Sequence, residues 1–383
     1  MEMKIDEIVR KVLSEAGVTA ELKKAETKKA EVVTVLEEEP DYTGNETGKA
    51  AVLTAPEKYE IKTFSLPEIG EKEILVKVEG CCISPEDTAE YYKQFPKNRS
   101  TSAGQQGTGI VVKVGGNDVK DAAGNAIKEG DRVICVSQPV KVSYSFNGTN
   151  KSDAPENWFA NFRSLTGAQV RVLNGLDLES RLLAENVLAV AKVVKRAVQL
   201  YRITSDTNVV VAGGKAEGLI TVAVLKCLGI DKIVMVSGDE TSRHMAKSFG
   251  AMDTIDFRQK GAMPQIQNDL KRCFGGKLGD VAFQFYPTAA VNRLIEKNGC
   301  VCAMASVMAN KQDARYYDES RPVVRHYYSA KEYEECFELL QKAAELSIPL
   351  YRLFTHRYLL EEINEAHWSV ACENGMMTAI FNR

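Results

Sequence analysis

Residues 205–257 read SDTNVVVAGGKAEGLITVAVLKCLGIDKIVMVSGDETSRHMAKSFGAMDTIDF. An apolar β-branched run, NVVVA, meets a glycine-rich turn. A helical segment, GLITVAVLKCLG, follows, and KIVMVS returns as a second apolar run. Short apolar runs without alternation are strands buried on both faces, and two of them joined by a helix form a βαβ unit. That unit commits the chain to an α/β sheet covered by helices. The turn, Gly213 to Gly218, departs at one point from the dinucleotide fingerprint G-x-G-x-x-G. Gly213 and Gly218 hold the first and third places. Lys215 holds the second, where a missing side chain normally lets backbone approach a pyrophosphate. Two consequences stay open: Lys215 turns outward and adds a charge to a phosphate, or the turn is reshaped and binding weakens. Gly214 gives the turn room to shift, which favours retained binding. An acidic residue ending the second strand would bind the ribose and repel a 2′-phosphate. That place falls on Ser237. Arg243 nearby leans to NADP, Asp239 leans to NAD, and the cofactor stays open between the two.

Upstream, KAAVLTAP, YEIKTFSLP and EILVKVEGCCI alternate in strand fashion. Strand and turn signals recur through GQQGTGIVVKVG and EGDRVICVS. This spacing predicts an antiparallel barrel-like region. SPED before TAEYY predicts a helix start, with Asp87 in a structural capping role.

These pieces, in this order, resemble the medium-chain dehydrogenase/reductase family in its zinc alcohol and polyol dehydrogenase branch. VKVEGCCISPED is similar to that family's VKVxAxGICGSD, and GQQGTGIVVKVG to its GHExxGxVVEVG. LFTHRYLLEEINEAH is similar to its L(V/F)THRFPLEEINEAF. The resemblance covers residues 49–383. It implies an α/β chain: a GroES-like, β-barrel-type catalytic domain plus a Rossmann domain with a doubly wound parallel sheet. The expected division is 49–190 for the catalytic domain, 191–325 for the Rossmann domain and 326–383 for a C-terminal return to the catalytic domain. It also implies hydride transfer with NAD or NADP, a small-molecule substrate and a homo-oligomer. On the nicotinamide side it points to Phe285, Ala303 and Ser306, although sheet core is an equal alternative for Phe285 and Ala303. Arg325 would replace a phosphate-side arginine.

The departures lie at the metal. The family's cysteine ligand aligns with Ser84, its histidine ligand with Gln105 and the adjacent glutamate with Gln106. A later glutamate is kept as Glu185. Hydroxyl and amide oxygens are weak donors to zinc, so no catalytic zinc is expected. Residues 138–165, expected as a divergent loop, contain none of the four cysteines of the family's structural zinc lobe. The family's proton-relay hydroxyl aligns with Glu86. Glu86 and Glu185 are therefore the acid/base candidates. Ser84, Gln105 and Gln106 would hydrogen-bond a substrate oxygen. Glu86 at a helix start also has a purely structural reading. Of the four histidines, 244, 326, 356 and 367, none belongs to a ligand pattern.

Residues 1–17, MEMKIDEIVRKVLSEAG, place Ile5, Ile8, Val9, Val12 and Leu13 on one helical stripe. Residues 18–48 are charged, poor in aromatics and read as a linker. The helix resembles the encapsulation peptides that carry enzymes into bacterial microcompartments, which implies a shell partner. Packing on the chain's own body or on a sister subunit is the alternative. A net charge of -3 in 383 residues suggests no bulk attraction to nucleic acid or anionic lipid, and no apolar run is long enough to span a membrane. Nine cysteines without a CxxC pair fit reduced thiols in the cytoplasm. A non-catalytic dehydrogenase-like binding or cargo protein is the second reading of the whole.

Overall fold

The structure is a computed structural model that describes residues 47–92, 104, 106–136, 157–258, 262–285, 289–304, 329–372 and 375–382. The N-terminal helix expected at 1–17 and most of the linker lie outside these residues, as do Gln105, Ser306 and Arg325.

The first half is antiparallel, as its alternation requires. β1 (Thr47–Ala55) and β2 (Lys58–Ser65) form a hairpin; β1 takes in the last two residues expected for the linker. β3 (Glu73–Ile83) is the spine of a seven-stranded sheet and ends at a short helix, α1 (Pro85–Tyr92). β4 (Gly107–Val114), β5 (Arg132–Cys135), β6 (Phe162–Thr166) and β7 (Val170–Val172) complete its N-terminal part. β4 flanks one side of β3, while β6 pairs with Glu73–Lys77. The segment expected as a loop therefore ends as core: Trp158, Phe159 and Ala160 are fully buried, and Phe162–Thr166 is a strand. Trp158 and Phe159 join the apolar cluster of Val76, Val78 and Val111 there, where alignment to a zinc lobe had suggested only a loop.

α2 (Leu178–Leu200) follows, capped by Asp177, whose carboxylate accepts from Ser180 N. Its apolar face joins the two halves, and the expected boundary at 190/191 falls inside it. Arg181, on this helix, is buried against the first sheet. It donates to Thr108 Oγ1 at 3.0 Å, to Leu176 O and to Glu79. Burial pulls its guanidinium below the ordinary value, and the Glu79 carboxylate opposes that.

The second half alternates strand and helix: β8 (Val209–Ala212), α3 (Lys215–Cys227), β9 (Ile233–Ser237), α4 (Glu240–Ala246), β10 (Asp253–Asp256), α5 (Ala262–Cys273), β11 (Gly279–Gln284) and β12 (Ile295–Ala303). All pairings are parallel, in the order β10-β9-β8-β11-β12. The chain reverses direction across the sheet between β8 and β11. A crevice opens there, beyond the carboxyl ends of the strands.

α6 (Ala330–Glu345) lies on α2. Cys336 Sγ donates to Ala184 O, and Lys192 and Lys195 pair with Glu332 and Glu335. Part of the expected C-terminal return thus covers the parallel sheet instead. Its stripe of Tyr333, Cys336, Leu339, Leu340 and Ala343 has its apolar partner there. The return proper is β13 (Phe354–Leu359), α7 (Ile363–Cys372) and β14 (Met377–Phe381), with β14 pairing antiparallel to Gly80–Ile83 of β3.

Candidate active site

The crevice of the parallel sheet is built on glycine. Gly213 (φ 85) and Gly214 (φ 80) both occupy the left-handed region that side chains resist. Gly214 precedes α3, and a Cβ there would overlap the Phe285 ring. A Cβ at Gly218 would overlap the carbonyl of Gly213, so Gly218 performs the close turn-to-helix packing of the third fingerprint glycine. Lys215 opens α3 and points outward: its Nζ lies 3.4 Å from the carbonyl of Gly375, just before β14. The turn therefore keeps a backbone cradle at a helix N-terminus, which fits a pyrophosphate. Phe285 lies against that cradle, 6% exposed, and Ala303 is exposed at the end of β12.

The ribose end differs from the sequence expectation. Ser237 is fully buried. Its Oγ accepts from Asp239 N at 3.1 Å, and its carbonyl accepts from Arg243 Nη1 at 2.8 Å. Arg243 Nη2 pairs with Asp256 at 3.0 Å. Asp239 caps α4, accepting from Ser242 N and Oγ at 2.7 and 2.6 Å. All three residues expected at the cofactor are thus engaged in holding the strand ends together. Among the described residues here, Arg258 is an open cation, which sequence reasoning missed because it follows the next strand, β10. A Cβ at Gly238 would lie 3.2 Å from Arg258 Cγ, so this side chain lies over the exit of β9. The Arg258 backbone N–H, with both neighbouring guanidiniums, holds the Asp256 carboxyl below its usual range.

At the end of β3, Ser84 and Asp87 cap α1 reciprocally. Ser84 N donates to Asp87 Oδ2 at 2.8 Å, and Asp87 N donates to Ser84 Oγ at 3.1 Å. Asp87 is buried and also accepts from Gly104 N at 2.7 Å, which bears out its expected structural role. The Ser84 hydroxyl therefore serves the helix before any substrate. The carbonyl of Gln106 accepts from Cys82 N at 3.2 Å, and its side chain is half-buried. Glu185 is half-buried on α2. Burial first, then the Glu185 charge, pushes the Cys82 thiol far up. Gln106, through its carbonyl, and Glu185, through its charge, thus both bear on Cys82, two residues before Ser84 on the same strand end. The Glu86 backbone lies in α1, next to Ser84's partner Asp87; its side chain lies outside the described residues.

Beneath this group sits a set that the sequence did not announce. The Arg163 guanidinium lies 4.9 Å from the centre of the Trp158 ring. Burial pushes the nearby Cys135 thiol up while the Arg163 charge pulls it down. Trp158 packs flat on Gly107 and takes the Gly104 carbonyl on its backbone N–H at 2.8 Å. The one available signal was WFANFR, three aromatics and an arginine within six residues.

Among the described residues, no group of three or more His, Cys, Asp or Glu side chains is placed to hold a metal. At the aligned positions the described donors are a capping hydroxyl, an amide and one carboxylate. This set does not fit zinc, which takes thiolate, imidazole and carboxylate. The described histidines serve elsewhere. His244 lies near Glu240, and His356 contacts Thr355 Oγ1. His367 is buried in a stack with Tyr59 and Tyr91, at 5.3 and 4.7 Å between ring centres.

Residues 70–175 match the alcohol dehydrogenase GroES-like domain. Among curated proteins, the chain is 20% identical to sorbitol dehydrogenase of Bombyx mori over 339 residues, 83% of this chain and 93% of that protein. It is 23% identical to an alcohol dehydrogenase of Cupriavidus necator over 272 residues, 63% of this chain and 71% of that one. Among solved structures, an alcohol dehydrogenase of Thermotoga maritima superposes with TM-score 0.68 at 18% identity, covering 88% of this chain and all of that one. A putative zinc-binding dehydrogenase of Sinorhizobium meliloti bound to NADP gives TM-score 0.60 at 19% identity, with 88% of this chain and 100% of that one covered. The fold is that of alcohol dehydrogenases: a GroES-like domain plus a Rossmann-like parallel sheet.

Proposed function

We propose that the chain is a nicotinamide-dependent oxidoreductase of the medium-chain dehydrogenase/reductase family that works without zinc. Its substrate is a small carbonyl compound, alcohol or activated alkene. The observation that supports this reading is the glycine cradle at Gly213, Gly214 and Gly218, whose geometry suits a dinucleotide although its second fingerprint glycine is Lys215. NADP in the Sinorhizobium relative agrees with such a site. The nicotinamide, when bound, gives or takes a hydride. The chain's own residues do the rest. The open N–H groups of the first turn of α3 hold the pyrophosphate. The Gln106 amide and the Ser84 hydroxyl donate to the substrate oxygen. Glu185 or Glu86 gives or removes the proton, and the Arg163 guanidinium balances negative charge in the cleft.

The test is a titration of metal-analysed protein with NADH and NADPH, followed by nicotinamide fluorescence, and then a carbonyl panel. Micromolar binding and turnover in zinc-free protein support the reading; failure to bind either dinucleotide ends it. The alternative, a non-catalytic binding or cargo protein, is favoured by the commitment of Ser84 to a helix cap. Cofactor-dependent turnover of any substrate removes it. The N-terminal residues 1–17 are proposed to address the chain to a microcompartment shell. A fluorescent reporter carrying them that stays diffuse beside intact shells rejects this.

A further inference from the structure

A dinucleotide lying in the crevice of a parallel sheet presents its adenine ribose to the exit of the strand next to the glycine turn. Here that exit is Ser237-Gly238-Asp239, and three features there bear on the ribose. The strand ends in a buried serine rather than in a carboxylate that would chelate the ribose. The nearest carboxylate, Asp239, directs Oδ2 into the N-terminus of α4. Arg258 lies over Gly238. Its backbone N–H donates to Asp256 Oδ1 at 2.8 Å and its Nε lies 3.4 Å from the same oxygen, yet 61% of its side chain is exposed.

The groups around it set the charge. Asp256 is shared with Arg243, which is mostly buried and fixed to the Ser237 carbonyl. Among the described residues, Arg243 therefore shares and neutralises the carboxylate that Arg258 also meets. The outcome is a guanidinium tethered at one edge and solvent-facing at the other. Such a group suits a phosphate, which accepts two parallel N–H donors from a planar guanidinium held in place.

We infer that Arg258, braced by Asp256 and Arg243, recognises a 2′-phosphate on the adenosine ribose, and that the chain takes the phosphorylated dinucleotide, NADP(H). This rests on the dinucleotide reading above and adds the choice between the two cofactors.

The experiment uses fragments that lack the nicotinamide, so that it does not depend on catalysis. Calorimetric titration of the full chain with 2′,5′-ADP and with 5′-AMP should show the former binding about tenfold or more tightly, as one charge-assisted pair provides. Arg258→Ala should abolish that difference by weakening 2′,5′-ADP alone. Arg258→Lys should keep part of it. NADPH and NADH fluorescence titrations should follow the same pattern. Equal binding of the two fragments by the unaltered chain overturns the inference. So does an equal loss of both in Arg258→Ala, or no binding of either. Because Arg258 is exposed, an unchanged melting curve shows that the variant is folded. Arg258-dependent binding of 2′,5′-ADP without turnover of NADPH would sink the oxidoreductase reading and leave the phosphate site standing. Turnover with equal affinity for NADH and NADPH would do the reverse.

Discussion

The ends of β8 and β3 lie on two sheets of the same fold and have kept different things. At β8 the backbone is specialised: two consecutive glycines at positive φ, with a phenylalanine ring on one of them. The aligned residue that changed, Lys215, projects away from the turn. At β3 the backbone is ordinary, and the aligned Ser84 side chain has taken structural work, capping a helix with Asp87. A site made of backbone survives a side-chain change next to it. A site made of side chains is lost when those side chains change, and what remains can be drawn into holding the fold. The β8 crevice is therefore the stronger functional claim of the two.

That contrast can be broken by experiment. The largest effect is expected at Gly214. Gly214→Ala forces a Cβ into the Phe285 ring at φ 80 and should cost roughly 3 kcal/mol or more. Denaturant unfolding should reveal that loss, and dinucleotide binding should vanish with it. A Gly214→Ala protein of unaltered stability and affinity would mean that the cradle is not needed.

The next effect concerns pH. Burial lowers the His367 imidazole to about 4, against 6.5 for an exposed histidine. The unfolded chain binds a proton between those values while the folded one does not, so stability is full above pH 6.5 and falls as the pH drops toward 4. The slope amounts to about 3 kcal/mol across that window. His367→Phe, which keeps a ring between Tyr59 and Tyr91, should flatten this part of a stability-versus-pH curve. An unchanged slope would place the dependence elsewhere.

Asp87→Ala removes a buried acceptor of two backbone N–H groups and should destabilise by about 2 kcal/mol. Asn at the same site should recover part of this. If thermal melts show no difference, the end of β3 is not organised by this cap. The smallest effect is at Lys215. Lys215→Gly restores the fingerprint and should shift stability by no more than about 1 kcal/mol. Fluorescence titration should show dinucleotide affinity falling less than about tenfold, through the lost charge. A large gain in affinity would show instead that the lysine obstructs the turn.

Much of this was open to a reader of the residues alone. The alternation of EILVKVEGCCI, the unbroken apolar runs NVVVA and KIVMVS, and SPED before TAEYY each became the expected element, because local periodicity and capping act over neighbouring residues. Residues 157–166 did not read as core. Their partner, the start of β3, lies some distance away in sequence, and pairing between distant segments leaves little local trace. Arg258 was missed for a related reason: it reaches Gly238 only because β10 and β9 are parallel neighbours in one sheet. The boundary expected at 190/191 lies within α2, which has an apolar face for each half and reads as one continuous helix.

The amino-acid order by itself determined the βαβ unit, the positive-φ glycines of its turn and the helix cap after β3, since each depends on steric and hydrogen-bonding limits within a few residues. Tertiary structure decided which charged side chains remain for a ligand. Arg243 and Arg258 are equally basic in the sequence. Only the packing of β9 beside β10 buries one against a carbonyl and a carboxylate and leaves the other facing water, where a phosphate reaches it.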